Sequence, residues 1–466
     1  MKKNKYIGDR AFYRNVLSLS IPIMIQNFIT NFVSMLDNLM VGNLGTAQMS
    51  GVSVSNQLLF VFELSIFGLL SGAGIFGAQY AGNRNVEGVR YSFRFKLISS
   101  IFFTTLFALL FIFASETLVG LYLKGDGDPN LAIDTVRYSR EYLKLMIIGL
   151  YPAAISMSYA STLRELGETK VPMYASLAAV VFNLIFDYIL IYGKLGAPRL
   201  EVRGAAIATV AARFLELAIL IVWTNFHKND GLFSFLSSAF KSLYIPKSLV
   251  LNIIKKGTPL MLNETLWSAG ITRLTQCYSM RDLSVVPAMS ISSTYFNLFS
   301  VMFVSLGAAI GIIIGQKLGA SETDDAMDTA RKLIAFSFFI TIGVSLLFVG
   351  CSFFIPSMYA TTADVKRMAT LFMIISATGM LGDSICNSTY FTIRSGGNTI
   401  ITFVMDSGFV WCVNVVLATI LINFTSLSVY MIYFIIQMCN YIKAGIGIYL
   451  VKQGKWIKNI VKTETN

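Results

Sequence analysis

Runs of apolar residues about as long as a bilayer is thick recur from end to end of this chain, and they set its class before any single residue is weighed. A helix that crosses the hydrocarbon core needs roughly 20 predominantly apolar residues and must satisfy its backbone polar groups internally. On that ruler the sequence offers twelve segments: 16–40, 47–80, 92–115, 135–162, 172–193, 204–226, 257–280, 285–318, 333–356, 366–392, 399–423 and 427–451. The second and eighth are long and rich in Ser and Gly, which predicts that they bend or extend beyond the bilayer. Charged residues make up only 13% of the 466 and hydrophobic ones 55%, against a charged share of about 25% in soluble proteins. No water-facing surface can be built from so few charges. The fold class expected is an all-α integral membrane protein. No cleavable signal is expected, because Lys2, Lys3, Lys5, Arg10 and Arg14 precede an apolar segment too long for a signal h-region.

The basic residues orient the chain. With twelve spans, twenty-four of the 37 Lys and Arg residues fall on the side of the termini and ten on the other. The first group runs from the N-terminus through Arg84, Arg90, Arg94 and Lys96 to Lys452, Lys455, Lys458 and Lys462; the second includes Lys124, Arg137, Arg140 and Lys144. The positive-inside rule places both termini in the cytoplasm of a multi-pass inner-membrane protein. It also accounts for the +12 net charge without nucleic acid as a partner. The single histidine, His227, excludes His-clustered metal or general-base chemistry elsewhere. The five cysteines never approach CxxC spacing and read as small core residues. The 20 Met and 36 Phe read chiefly as packing, with a minority available to line an adaptable apolar pocket.

The chain also repeats itself. A shift of 237 residues puts Pro22 on Pro259, Met24 on Met261, Ser55 on Ser292, Gly74 on Gly311, Gln79 on Gln316 and Gly82 on Gly319. A shift of 230 puts Arg164 on Arg394, Gly167 on Gly397 and Thr169 on Thr399. Two six-helix lobes follow, residues 1–226 and 257–466 with a short cytoplasmic tail, joined by a cytoplasmic linker at 227–256. Six is even, so both lobes enter from the same side, related by a parallel pseudo-two-fold axis with the substrate path between them.

Acids within the spans each ask for a reason, because charge in hydrocarbon costs several kcal/mol. Asp187 follows Asn183 by one helical turn, which puts an amide oxygen and a carboxylate on one face. Oxygen groups of that kind suit a hard cation or a proton. Asp37 lies in the first span and Glu264 in the seventh, and their repeat counterparts, Leu274 and Asn27, are not acidic. Asp406 and Asp383 can be satisfied by Lys443 or a helix end. Arg213 and Glu216 read as a structural i,i+3 pair, and Glu63 as either cation-attracting or locally paired.

These segments resemble the multidrug and toxic compound extrusion (MATE) transporters of bacteria over residues 12 to 452. The resemblance rests on Ser20-Ile-Pro22, Asp37-Asn-Leu-Met-Val-Gly42, Gly74-Ile-Phe-Gly-Ala-Gln79-Tyr-Ala-Gly82, Leu163-Arg164-Glu-Leu-Gly167-Glu-Thr169, Asn183-Leu-Ile-Phe-Asp187, Gly204-Ala-Ala-Ile-Ala-Thr209 and Asn263-Glu264-Thr-Leu-Trp267. It implies secondary antiport, in which an H+ or Na+ gradient drives export of small cationic or amphipathic organic compounds. It further implies a cation site at Asp37, Asn183, Asp187 and Thr209, which would be the ligands of Na+ if Na+ is the coupling ion. Glu264 matches an acid that contributes in some members; with Asp406 and Gln79 it is assigned to substrate handling and coupling. No prosthetic cofactor is expected, and the chain is read as a monomer in membrane lipid. Three rivals stand beside this reading: a flippase for lipid-linked sugar precursors, which would need a strongly cationic cavity; a membrane-embedded enzyme; and a channel. Neither H+ nor Na+ is preferred by the residues.

Overall fold

Helix after helix, the chain turns its apolar runs into rods that satisfy their own backbone. The structure, a computed structural model, describes residues 5–42, 44–122, 129–282, 284–359 and 361–462; Lys2, Lys3 and Lys124 lie outside these. Among the described residues there is no strand. The long helices are α1 (Arg10–Gly42), α2 (Thr46–Gly82), α3 (Val86–Tyr122), α4 (Pro129–Glu165), α5 (Lys170–Tyr192) and α6 (Val202–Phe226). They continue with α7 (Lys247–Ser279), α8 (Val285–Gly319), α9 (Thr323–Ser352), α10 (Ala363–Ser395), α11 (Thr399–Phe424) and α12 (Val429–Lys452).

Eleven of these are long and apolar enough to cross a membrane, so the protein is a multi-pass membrane protein. The exception is α7. It is helical through the seventh expected segment, but Lys255, Lys256, Asn263, Glu264 and Arg273 dilute its apolar run. Expectation and structure also meet at the second and eighth segments. With 37 and 35 residues, α2 and α8 reach about 55 Å at 1.5 Å per residue, well past a hydrocarbon core of about 30 Å. They are extended rather than broken.

The chain divides into two compact units that interleave in sequence: residues 25–77 with 85–251, and residues 1–24 with 78–84 and 252–466. The first has a core around Phe62, Ile66, Leu143, Ala154 and Ala206; the second around Phe348, Phe372, Met373, Ala377 and Ile432. Within the first, the polar stretch after α6 forms a short 3₁₀ helix, Gly231–Ser238. Arg94 on α3 holds the adjoining chain by donating to the carbonyls of Ser238, Ala239 and Tyr244 at 2.6, 2.7 and 2.9 Å. Within the second, Gly82 and Gly319 let the ends of α2 and α8 touch backbone to backbone. A Cβ on Gly82 would lie 1.9 Å from the Gln316 carbonyl oxygen, and one on Gly319 1.9 Å from that of Gln79. The contacts are reciprocal between residues matched by the 237-residue shift. Gly167 and Gly397, matched by the 230-residue shift, both adopt positive φ (90° and 77°) where α4 and α10 end, a conformation that costs glycine little.

Two sequence expectations change. Lys96 was counted among the orienting surface charges, but its side chain is wholly buried. Its Nζ donates to both carboxylate oxygens of Glu165 at 2.5 and 2.6 Å, with Ser161 and Thr162 hydroxyls at 3.2 Å. Gly77 makes room, since a Cβ there would fall 2.0 Å from Glu165 Oε2. The cysteines also divide: Cys277, Cys386 and Cys439 are buried, Cys351 is partly covered and Cys412 is exposed.

Removing one partner of a buried ion pair strands the other charge, at a cost of about 3–5 kcal/mol, whereas removing both is far milder. Lys96→Met is therefore expected to lower the melting temperature sharply, and Lys96→Met/Glu165→Gln to recover most of the loss. Thermal unfolding in detergent measures both; a single variant as stable as wild type would contradict the pairing.

Candidate functional site

Small residues bring the first cluster together. In Gly204-Ala-Ala-Ile-Ala-Thr209 the residues Gly204, Ala205, Ala206 and Ala208 are buried. A Cβ on Gly204 would stand only 2.7 Å from the Leu190 carbonyl, so glycine is what lets α6 close on α5. That approach sets Thr209 beside Asn183, whose Nδ2 donates to Thr209 Oγ1 at 3.4 Å. One turn along α5, Asp187 is 1% exposed, and its carboxyl interacts electrostatically with Asp37 on α1 and with Asn183. Tyr192 secures the two helices by donating to the Met40 carbonyl at 3.0 Å. One oxygen of each aspartate is buried without a hydrogen-bond partner among the described residues. Arg213, one turn beyond Thr209, feels the field of Asp37, but its guanidinium bridges Glu63 at 3.1 Å and Glu216 at 3.6 Å. All four residues assigned to the cation site thus stand together. They form an oxygen-rich cluster of a kind that suits a proton or a hard cation.

Tyr142 on α4 joins them, although sequence reasoning passed over it. It is buried, and its hydroxyl interacts electrostatically with both aspartates and with Thr209. A phenol inside an apolar span was the available signal, since a buried Tyr hydroxyl usually finds a partner.

The second cluster forms where α11 is wound wide. Its turns at Val404–Gly408 and Val410–Val415 are π-helical, a geometry common at functional sites. Asp406 and Ser407 both turn to Asn263 of α7. Ser407 Oγ lies 2.7 Å from the Asn263 carbonyl and 2.8 Å from its Oδ1, and the Ser407 N–H donates to Oδ1 at 3.2 Å. Asn263 Nδ2 in turn donates to Asp406 Oδ2 at 2.9 Å. Lys443 of α12 donates to the other oxygen, Oδ1, at 2.5 Å. Glu264 interacts electrostatically with Asp406 and Arg394, and Asp383 with Lys443 and Asp406. Glu264 and Asp406 therefore share one polar interior.

Gln79 does not enter this interior. It is completely buried, and its amide is spent on backbone: Nε2 donates to the carbonyls of Ser395 at 2.9 Å and Lys458 at 3.1 Å, while Oε1 accepts from the Ile460 N–H at 2.9 Å.

Comparison with known proteins agrees over the length of the chain. The family model MatE matches residues 22–189 and 261–420. A probable multidrug resistance protein NorM of Thermotoga maritima is 23% identical over 458 residues, covering 97% of this chain and 94% of that protein. A MOP superfamily transporter from Pyrococcus furiosus superposes with a TM-score of 0.84 at 18% identity, covering 96% of both chains. A MATE structure in a straight conformation gives 0.85 at the same identity and coverage. At such identities the structural likeness speaks for the fold.

Gln79→Ala strands three backbone groups, each worth about 1–3 kcal/mol when left buried and unpaired. The expected result is faster tryptic cleavage after Lys455, Lys458 and Lys462. Gel analysis of a digestion time course tests this; cleavage at the wild-type rate would show that Gln79 does not hold the tail.

Proposed function

The chain belongs to the MatE family of transporters, and from that premise we propose that it is a secondary active antiporter. In this reading it exports small cationic or amphipathic organic compounds across the inner membrane in exchange for H+ or Na+. The observation that carries the proposal is the convergence of Asp37, Asn183, Asp187 and Thr209, with Tyr142, in one largely buried cluster. Two neighbouring carboxylates repel when both are charged. A proton or Na+ between them relieves the repulsion and biases α1, which carries Pro22 inside the helix, toward one arrangement. An ion drives a conformational cycle only through such a difference in affinity between states.

Alternating access between two six-helix lobes is the matching architecture. The reciprocal crossing of Gly82 with Gln316 and Gly319 with Gln79 supports a parallel pseudo-two-fold relation, as do family matches that begin at residues 22 and 261. Counting α7 as the twelfth span puts both termini on the same side, and the basic residues then favour the cytoplasm. The buried position of Asn263 supports that count, because it turns part of the polar face of α7 inward. Acids predominate among the in-membrane charges outside ion pairs, which favours cationic cargo over the pyrophosphate of a lipid-linked sugar.

Uptake of a fluorescent lipophilic cation into everted vesicles, driven separately by a pH and by a Na+ gradient, tests the proposal and identifies the ion. Asp37→Asn and Asp187→Asn are each expected to cut gradient-driven uptake at least about tenfold, the scale seen when an ion's surroundings are altered. Uptake that is independent of both gradients in folded wild-type protein would overturn antiport and return the flippase to consideration.

A further inference from the structure

The two acid clusters differ in how their charge is balanced. Among the described residues no Lys or Arg makes an ion pair with Asp37 or Asp187, and the nearby Arg213 is engaged by Glu63 and Glu216. Asp406, by contrast, has both oxygens held, one by Lys443 Nζ at 2.5 Å and the other by Asn263 Nδ2 at 2.9 Å. We propose that Lys443 is a tethered counter-cation that takes the place of one exchangeable ion at Asp406. Asp406 then neither takes up nor releases a coupling ion, and the cycle moves one ion fewer than it would if Asp406 were open to exchange. The inference rests on the antiporter reading above and specifies where its coupling ion does not bind.

The surroundings favour a fixed cation. A carboxylate withdrawn from water must be matched by a proton, a metal ion or a basic side chain. Lys443 is itself buried, and close helix packing on either side of it holds it in place. A Cβ on Gly382 of α10 would meet the backbone of Asn440 on α12 at 3.2 Å, and one on Gly447 of α12 would meet Thr389 Oγ1 at 2.4 Å. With α12 pressed to α10 one turn before and one turn after Lys443, the ammonium has little room to swing away. The charged and titratable groups that act on this pair are Glu264 from α7 and Asp383, Cys386 and Tyr390 from α10, and Arg394 of α10 acts in turn on Glu264 and Tyr390. Two of these are further acids, so the cluster still attracts cations once Lys443 is removed.

The test counts ions rather than transport. Purified full-length protein in detergent is titrated with radioactive Na+ by equilibrium dialysis, and proton uptake is followed in parallel in weakly buffered solution. Lys443→Met is expected to bind one more cation per chain than wild type, as Na+ or as a proton. Lys443→Arg and Lys443→Met/Asp406→Asn are expected to match wild type. Asp406→Asn alone is expected to leave the count unchanged, because its partner is a lysine and not an ion. A Lys443→Met protein that folds with the wild-type count would overturn the proposal. So would loss of one bound ion in Asp406→Asn, which decides the question even if Lys443→Met fails to fold. Failure of wild type to couple uptake to either gradient would sink the antiport reading while leaving this count measurable.

Discussion

Charge taken out of water has to be matched inside the protein, and the way this chain matches it organises the rest of the structure. Lys96 is matched by Glu165, Lys443 by Asp406, and Arg213 by Glu63 and Glu216. Lys96–Glu165, Lys443–Asp406 and Arg213–Glu63 each join two helices, so each acts as a register pin as well as a neutraliser, whereas Arg213–Glu216 lies within α6. Breaking such a pair from one side is costly, whereas replacing it whole is often harmless, which makes its contribution one of specificity as much as of stability. Asp37 and Asp187 are matched differently: they neighbour each other and make no ion pair with a basic residue among the described residues, and it is on this imbalance that the proposed ion coupling rests.

Close backbone approach is the second device, and it depends on residues with little or no side chain. Gly204 brings α6 onto α5 and so carries Thr209 to Asn183; Gly77 opens the space that Glu165 fills; Gly82 and Gly319 let α2 and α8 touch. In hydrocarbon, apolar side chains gain little by leaving lipid for one another, so helix association leans on tight van der Waals contact at small residues and on polar links. The motif glycines are therefore packing requirements, although they carry no charge themselves.

Much of this was legible beforehand. The apolar runs announced the membrane helices, the i,i+4 spacing of Asn183 and Asp187 announced a shared face, and the repeat register singled out Gln79, Gly82, Gln316 and Gly319, although not that they meet at the α2–α8 crossing. Lys443 was named as a possible partner of Asp406 from sequence. Other features were not readable. Lys96 sits in a basic stretch like any cytoplasmic charge, and only the position of Glu165, 69 residues away, makes it a buried partner. Tyr142 looks like one aromatic among many until α4 turns its hydroxyl toward Thr209. Gln79 belongs to a motif, yet its amide serves backbone that the sequence gives no reason to place nearby.

By itself, then, the sequence determined the periodic and compositional properties: helical class, membrane setting, internal repeat and the residues able to carry charge. These follow from local rules of length, polarity and spacing, which act on neighbours along the chain. Only the tertiary structure decided which charges are paired and which are not, and that α11 is wound wide at Asp406. Pairing depends on distances between residues tens of positions apart in sequence, and such distances exist only once the helices have packed.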